Sequence, residues 1–200
     1  MIRVPLQVQG FLKIYDPNNG EIFVDKKNAI HYENISLSMA QTLADRNLGY
    51  IYSMAFGNGG SSVDPTGVIT YLPPNTVGQN ANLYNETYSK VVDDNEAANT
   101  DTANNFMQVF HTPGKVYSDI VVTCLLDYGE PAGQQAFDNS TNFNGEFVFD
   151  ELGLKTWNGS PTDLRLITHV IFHPVQKSLN RQIQIDYTVR IQTLTNLSLA

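Results

Sequence analysis

Between Arg181 and Thr193 the sequence alternates without a break. Ile183, Ile185, Tyr187, Val189 and Ile191 take every second position, and Gln182, Gln184, Asp186, Thr188, Arg190 and Gln192 fill the places between. A period of two sends the first set to one face of a β-strand and the second set to the other. The apolar set is β-branched or aromatic, which suits a pleated, half-buried surface. Upstream, Leu164 to Phe172 is a second apolar run with Leu166, Ile167, Val170, Ile171 and Phe172. Pro174 cannot donate to a ladder, so it marks an edge, a bulge or the exit from that strand. The two runs predict a long β-hairpin closing the chain, its turn between His173 and Asn180.

Earlier segments repeat the pattern. Phe11 to Tyr15 and Glu21 to Val24 flank Asp16-Pro17-Asn18-Asn19-Gly20, where Pro presets φ and Gly accepts a positive one, so a hairpin is expected. One amphipathic helix is predicted over about 29–46. Asn28 stands at its start, Ile35, Met39, Ala40, Leu43 and Ala44 recur at helical spacing, and Asn47 and Gly49 lie where a C-terminal cap belongs. Further strands are predicted at Tyr50–Phe56, Val68–Leu72, Leu83–Val92, Phe106–His111, Val116–Leu126 and from Phe147 onward, with a turn at Asn158–Pro161. Extended loops are expected at about 57–67, 73–82, 93–105 and 128–144. Many strands, frequent turns and one helix predict a mainly β fold, an antiparallel β-sandwich or barrel in one domain spanning 1–200.

Charge narrows the partners. A net charge of −8 with no run of basic residues argues against a sequence-specific nucleic-acid binder, since phosphate neutralisation needs clustered Lys and Arg. An acidic channel lining through which DNA slides is compatible with it. Met1 to Pro5 offers no apolar core for a signal peptide, and no stretch approaches the ~20 apolar residues of a membrane helix. The chain is therefore expected to fold where it is made, without a membrane partner. The Asn-x-Ser/Thr triplets opening at Asn34, Asn85, Asn139, Asn158 and Asn196 then read as chance in an Asn-rich chain.

No catalytic, cofactor-binding or metal-ligating residue is assigned. Cys124 is the single cysteine, so an internal disulfide and a thiolate zinc site are both excluded, and it reads as a small core hydrophobe. His169 and His173 on one strand face stand roughly 13 Å apart at a rise of ~3.3 Å per residue, too far for one metal in a flat strand. His31 and His111 have no carboxylate or thiol pattern beside them. Asp150-Glu151 invites an acid–base reading, but neighbouring strand residues point to opposite faces. The glycine cluster Gly57-Asn58-Gly59-Gly60 is followed by turn residues rather than a helix and a Lys, so it reads as a loop or a close backbone approach rather than a phosphate cradle. The acidic, Asn-rich stretch after Asp93 lacks the Gly and closing Glu of a calcium loop. The chain is expected not to be an enzyme.

Five phrases carry a resemblance. They are Asn28-Ala29-Ile30-His31-Tyr32, Met54 to Gly60, Thr66 to Leu72, Phe149 to Leu154 and Leu166 to Ser178. Together they look like virion structural proteins of tailed bacteriophages, especially contractile-tailed ones including cyanophages. The resemblance implies a repeated component of the virion, held by contacts with copies of itself and with neighbouring head, neck or tail proteins. The loops Gly57 to Gly67, Pro73 to Asn82 and Asn95 to Asn105 are expected to order only against neighbours, which suits a homo-oligomeric ring. The preferred position is the neck or collar where head meets tail, ahead of head decoration, the tail tube or another tail-associated place. Two other classes remain open. A carbohydrate- or receptor-binding module would cluster exposed aromatics such as Tyr84, Tyr88, Tyr117 or Trp157. A hydrolase of unfamiliar type would gather His, Asp or Glu from distant strands into a pocket.

Overall fold

The computed structural model of the chain describes residues 5–131 and 146–193. In chain order the elements are β1 (Leu6–Tyr15), β2 (Ile22–Ile30), α1 (Tyr32–Leu43), β3 (Ile51–Gly57), β4 (Ser61–Val63), β5 (Ile69–Tyr71), β6 (Glu86–Val91), β7 (Phe106–His111), β8 (Tyr117–Leu126), β9 (Glu146–Ser160), β10 (Asp163–Leu166), β11 (Thr168–Ser178) and β12 (Ile183–Thr193). Ten of the strands form one antiparallel sheet in the order β6-β3-β9-β11-β2-β1-β12-β8-β7, with β10 paired beside β9, and the sheet curls into a half-barrel. The strands β4 and β5 make a separate hairpin.

The alternating segment is the strand the sequence promises. Ile183, Ile185, Tyr187 and Val189 are buried, and the residues between them are partly exposed. As β12 it sits inside the sheet, with Ile185 opposite Ile14 of β1 on one side and Cys124 of β8 on the other. These residues join Leu12, Met54, Phe56, Phe149 and Leu154 in one core, where each large apolar side chain contributes about 1.5–3 kcal/mol by leaving water.

The closing hairpin is not formed. β11 pairs with β9 and β2, and β12 with β1 and β8, so the last two strands are not neighbours. Two apolar runs close in sequence both needed burial, and each found it on a different part of the sheet. The expected turn from His173 to Asn180 is mostly strand, and the register slips between Ile171 and Val175, around Pro174. The run Leu164–Phe172 is also two strands, broken at Ile167, whose carbonyl takes the amide of His31 at 2.9 Å.

The helix is shorter than its periodicity. Ala29 and Ile30 belong to β2, where they pair with His169 and Thr168. The cap is His31 rather than Asn28: its Nδ1 accepts the amide of Asn34 at 3.2 Å, and its Nε2 donates to the carbonyl of Gly78 at 3.0 Å. The end is set by Asp45. With φ of +51° it takes a left-handed conformation, its amide donates to the Thr42 carbonyl and that of Arg46 to the Gln41 carbonyl, both at 3.1 Å. The expected cap residues Asn47 and Gly49 lie beyond it, and a Cβ on Gly49 would stand 2.5 Å from the Ser38 carbonyl.

The expected loops are partly structured by their own chain. Residues 57–67 contain β4 and a turn closed by Asp64, which accepts the amides of Thr66 and Val68. Residues 73–82 are fixed through Asn75, Gly78 and Gln79, and residues 93–105 through Asn99, whose amide donates to the carbonyls of Asp93 and Asn105. Of the loop expected at 128–144, residues 132–144 lie outside the described residues.

Candidate functional site

Asp150 and Glu151 lie side by side on β9, and both hold the corner of chain that leaves β3. Asp150 accepts the amide of Gly60 at 2.9 Å and that of Ser61 at 2.7 Å, and the Ser61 hydroxyl as well. Glu151 Oε1 accepts the amides of Asn85 at 2.8 Å and Gly59 at 3.1 Å. Its Oε2 accepts the amide of Tyr84 at 2.9 Å and Nε2 of His169 at 3.0 Å. Asn75 donates its amide to the His169 Nδ1 at 2.9 Å, so the ring proton sits on Nε2. One carboxylate thus ties two loop segments of chain to β11.

The glycines make that approach possible. A Cβ on Gly57 would meet Glu151 Oε1 and the Asn85 carbonyl at 2.5 Å, and one on Gly59 would meet the Asn85 amide at 2.8 Å. The sequence reading of a close backbone approach is what the structure contains. Asp150 and Glu151, neighbours on one strand, share a partner in the main chain from Gly59 to Ser61, beside the point where the β9–β11 register slips. Nothing in the residue pattern places His169 beside Glu151, since the pair depends on the alignment of β9 with β11. Burial pushes the Asp150 carboxyl above its usual range, and the bonds from Ser61 and Gly60 only partly oppose this. Burial also pushes Glu151 up, yet the hydrogen bonds from His169, Asn85, Tyr84 and Gly59 outweigh it and hold the carboxyl below its usual range. The acceptor oxygens of both are taken up in anchoring loops.

His173, by contrast, is exposed and meets the Tyr71 hydroxyl at 3.2 Å, away from the buried His169. The four aromatics do not share a platform. Tyr84 tilts against His169, Tyr88 against Phe56, Trp157 against Tyr52, and Tyr117 lies under the Arg190 guanidinium. Among the described residues no cluster of three or more His, Cys, Asp or Glu could hold a metal ion. None of their helices is long and apolar enough to cross a membrane.

Two open regions remain. Where the curled sheet brings its first and last strands near each other, Lys90 of β6 reaches the Leu125 carbonyl of β8 at 2.7 Å and Glu130 at 2.5 Å, beside a polar cleft of about 380 Å³. Nearby Lys177 is buried, and desolvation pushes its ammonium down to about 8. The second region is an apolar cleft of about 470 Å³ between α1 and the sheet, lined by Ile35, Met39, Leu43, Met107, Val109 and Ile191. The helix docks through polar residues: Asn34 donates to the Leu166 carbonyl at 2.8 Å, and Ser38 meets Thr156 at 3.0 Å. Its apolar stripe faces the cleft, and Leu43 is 85% exposed. Ile35 packs against the core, but the rest of the stripe is less buried than its periodicity predicts.

No protein-family model matches the chain, and neither a curated protein nor a solved structure matches it.

Proposed function

We propose that this chain is a non-enzymatic structural component of a tailed-phage virion, placed in the neck or collar, where it assembles as a ring and meets neighbouring head and tail proteins. The observation that carries the reading is where the five resembling phrases fall. Met54 to Gly60 pairs with Phe149 to Leu154, which pairs in turn with Leu166 to Ser178. That last segment pairs with Ala29 and Ile30 of the first phrase, and Tyr71 of the remaining phrase reaches His173. Phrases scattered over the sequence therefore meet in one region, β3-β9-β11-β2 with its glycine corner and hairpin.

Two further features support an assembling subunit. The carboxylates of the corner serve loop positioning, which fixes surface shape. The apolar stripe of α1 and the last strand of the sheet are left open to other chains.

The test is quantitative mass spectrometry of purified particles of a phage that encodes the chain. Its peptides in a fixed, multi-copy ratio to capsid and tail-tube proteins support the proposal. Their absence from particles, with presence in the infected-cell lysate, overturns it. A glycan-array signal from the purified chain would favour receptor binding instead.

A further inference from the structure

The strand β7 ends the sheet, paired with β8 from Phe106 opposite Thr123 to His111 opposite Ser118 without a slip. Among the described residues no strand pairs with its other side. The direction of its hydrogen-bonding groups follows from its neighbour. Leu125 of β8 turns its amide toward this side, onto Asn105 Oδ1 at 3.1 Å, and alternation gives Thr123, Val121 and Asp119 the same direction. Phe106, Gln108 and Phe110 therefore use their main-chain groups on β8, while Met107, Val109 and His111 turn theirs outward.

Edge strands are ordinarily guarded by lysines, prolines, bulges or cover. β7 contains no Lys, Pro, Gly or acidic residue, and Val109 and Phe110 are 72% and 51% exposed. The strand β6 at the other end differs, since its Glu86 and Lys90 are ion-paired with Lys155 and Glu130.

We infer that the free edge of β7 pairs antiparallel with the same edge of a second copy of this chain, about a two-fold axis at Gln108. The sequence of the strand selects this occupant. Phe106-Met107-Gln108-Val109-Phe110 has the same aromatic, aliphatic, polar pattern in both directions. With Gln108 opposite its own copy, Met107 faces the partner's Val109, and both offer outward main-chain groups, so the four bonds of two narrow pairs close. Phe106 faces the partner's Phe110 on the other face, a favoured cross-strand aromatic pair. Moving the axis to Val109 would set Met107 against histidine and Gln108 against phenylalanine. Met107 and Val109 also line the apolar cleft, so the partner strand extends its wall. The contact is isologous and goes beyond the virion reading. It is the form of the free subunit, and a neck ring with two unlike faces takes the subunit up only after the pair parts.

The test uses the full chain. Light scattering over rising concentration is expected to approach twice the 22.3 kDa of one chain. In Gln108→Cys the two engineered residues face each other with Cα atoms ~4.5 Å apart, within the ~4.4–6.8 Å of a disulfide. Cys124 is buried and does not interfere. Oxidation to a covalent dimer is expected at least about tenfold faster than in Thr162→Cys, placed in the turn before β10, because pairing raises the effective concentration. Val109→Pro removes an outward amide and leaves the β8 ladder intact, so it is expected to be folded and monomeric; Val109→Lys serves the same end if the proline variant unfolds. A monomer at every concentration, or Gln108→Cys oxidising no faster than Thr162→Cys, overturns the inference, whether the edge is then empty or taken by another protein. Neither outcome bears on whether the chain is found in particles.

Discussion

His169 and Glu151 are hydrogen-bonded at 3.0 Å, Nε2 to Oε2, with neither side chain exposed. The histidine is itself fixed by the Asn75 amide, and the glutamate by three amides from two loops. Replacing Glu151 by Gln would turn an NH2 group toward donors and leave them unmet. Breaking such a buried arrangement costs about 3 kcal/mol or more. Urea unfolding of Glu151→Gln at neutral pH measures it. A loss below the size of one ordinary hydrogen bond would contradict the anchoring role.

The same carboxylate sets a pH dependence. Its folded-state pKa lies below the usual 4.5, so its contribution is present above that pH and is lost as pH falls through the folded value. Asp150 acts in the opposite sense, because its raised pKa makes the folded form take a proton more readily on acidification. The stability gap between the native chain and Glu151→Gln is therefore expected to narrow below pH 4.5, read from urea midpoints between pH 3 and 7. A constant gap would contradict it.

Gly10 of β1 stands opposite Asn28 of β2, and a Cβ on Gly10 would lie 1.6 Å from the Asn28 Oδ1. Neither polar atom of the Asn28 side chain has a hydrogen-bond partner among the described residues. Gly10→Ala is expected to cost about 1–3 kcal/mol through overpacking. Adding Asn28→Ala clears the space, so the double variant is expected to regain most of the loss. A double-mutant cycle without coupling would refute the contact.

Ile185 is fully buried between β1 and β8. Ile185→Val is expected to cost about 1 kcal/mol in denaturant unfolding, and Ile185→Ala about 2–5 kcal/mol. Ile185→Asp inserts an unpaired charge into the core and is expected to stop folding. Soluble, native-like Ile185→Asp with an unchanged circular dichroism spectrum would contradict the assignment of that face.

Burial pushes the Cys124 thiol up to about 12. The folded chain at pH 8 is expected to leave an aromatic disulfide reagent unreacted, and to react with one equivalent after denaturation. Rapid labelling of the folded chain would contradict the burial.

Local patterns on half-buried strands were legible in the sequence. Ile183 to Val189 alternate because one face of β12 meets the core, and Asp16 to Gly20 turn because their own side chains and φ preferences require it. What depended on remote pairing was not legible. β11 and β12 are adjacent in sequence and apart in the sheet, Ala29 and Ile30 were drawn from helix into strand by β11, and His169 meets Glu151 only through the β9–β11 alignment. The helix differs from its pattern for a related reason: its polar Asn34 and Ser38 found buried partners at Leu166 and Thr156, so the apolar stripe lines an open cleft on the sheet instead of being sealed against it.

The most direct test of the central claim is to locate the chain on the particle. Gold-labelled antibodies raised against the purified chain would be imaged on intact phage by electron microscopy. The account predicts label concentrated at the junction of head and tail. Label spread over the capsid or along the tail would contradict the neck placement, and particles without label, beside labelled controls for known neck proteins, would contradict the virion role itself.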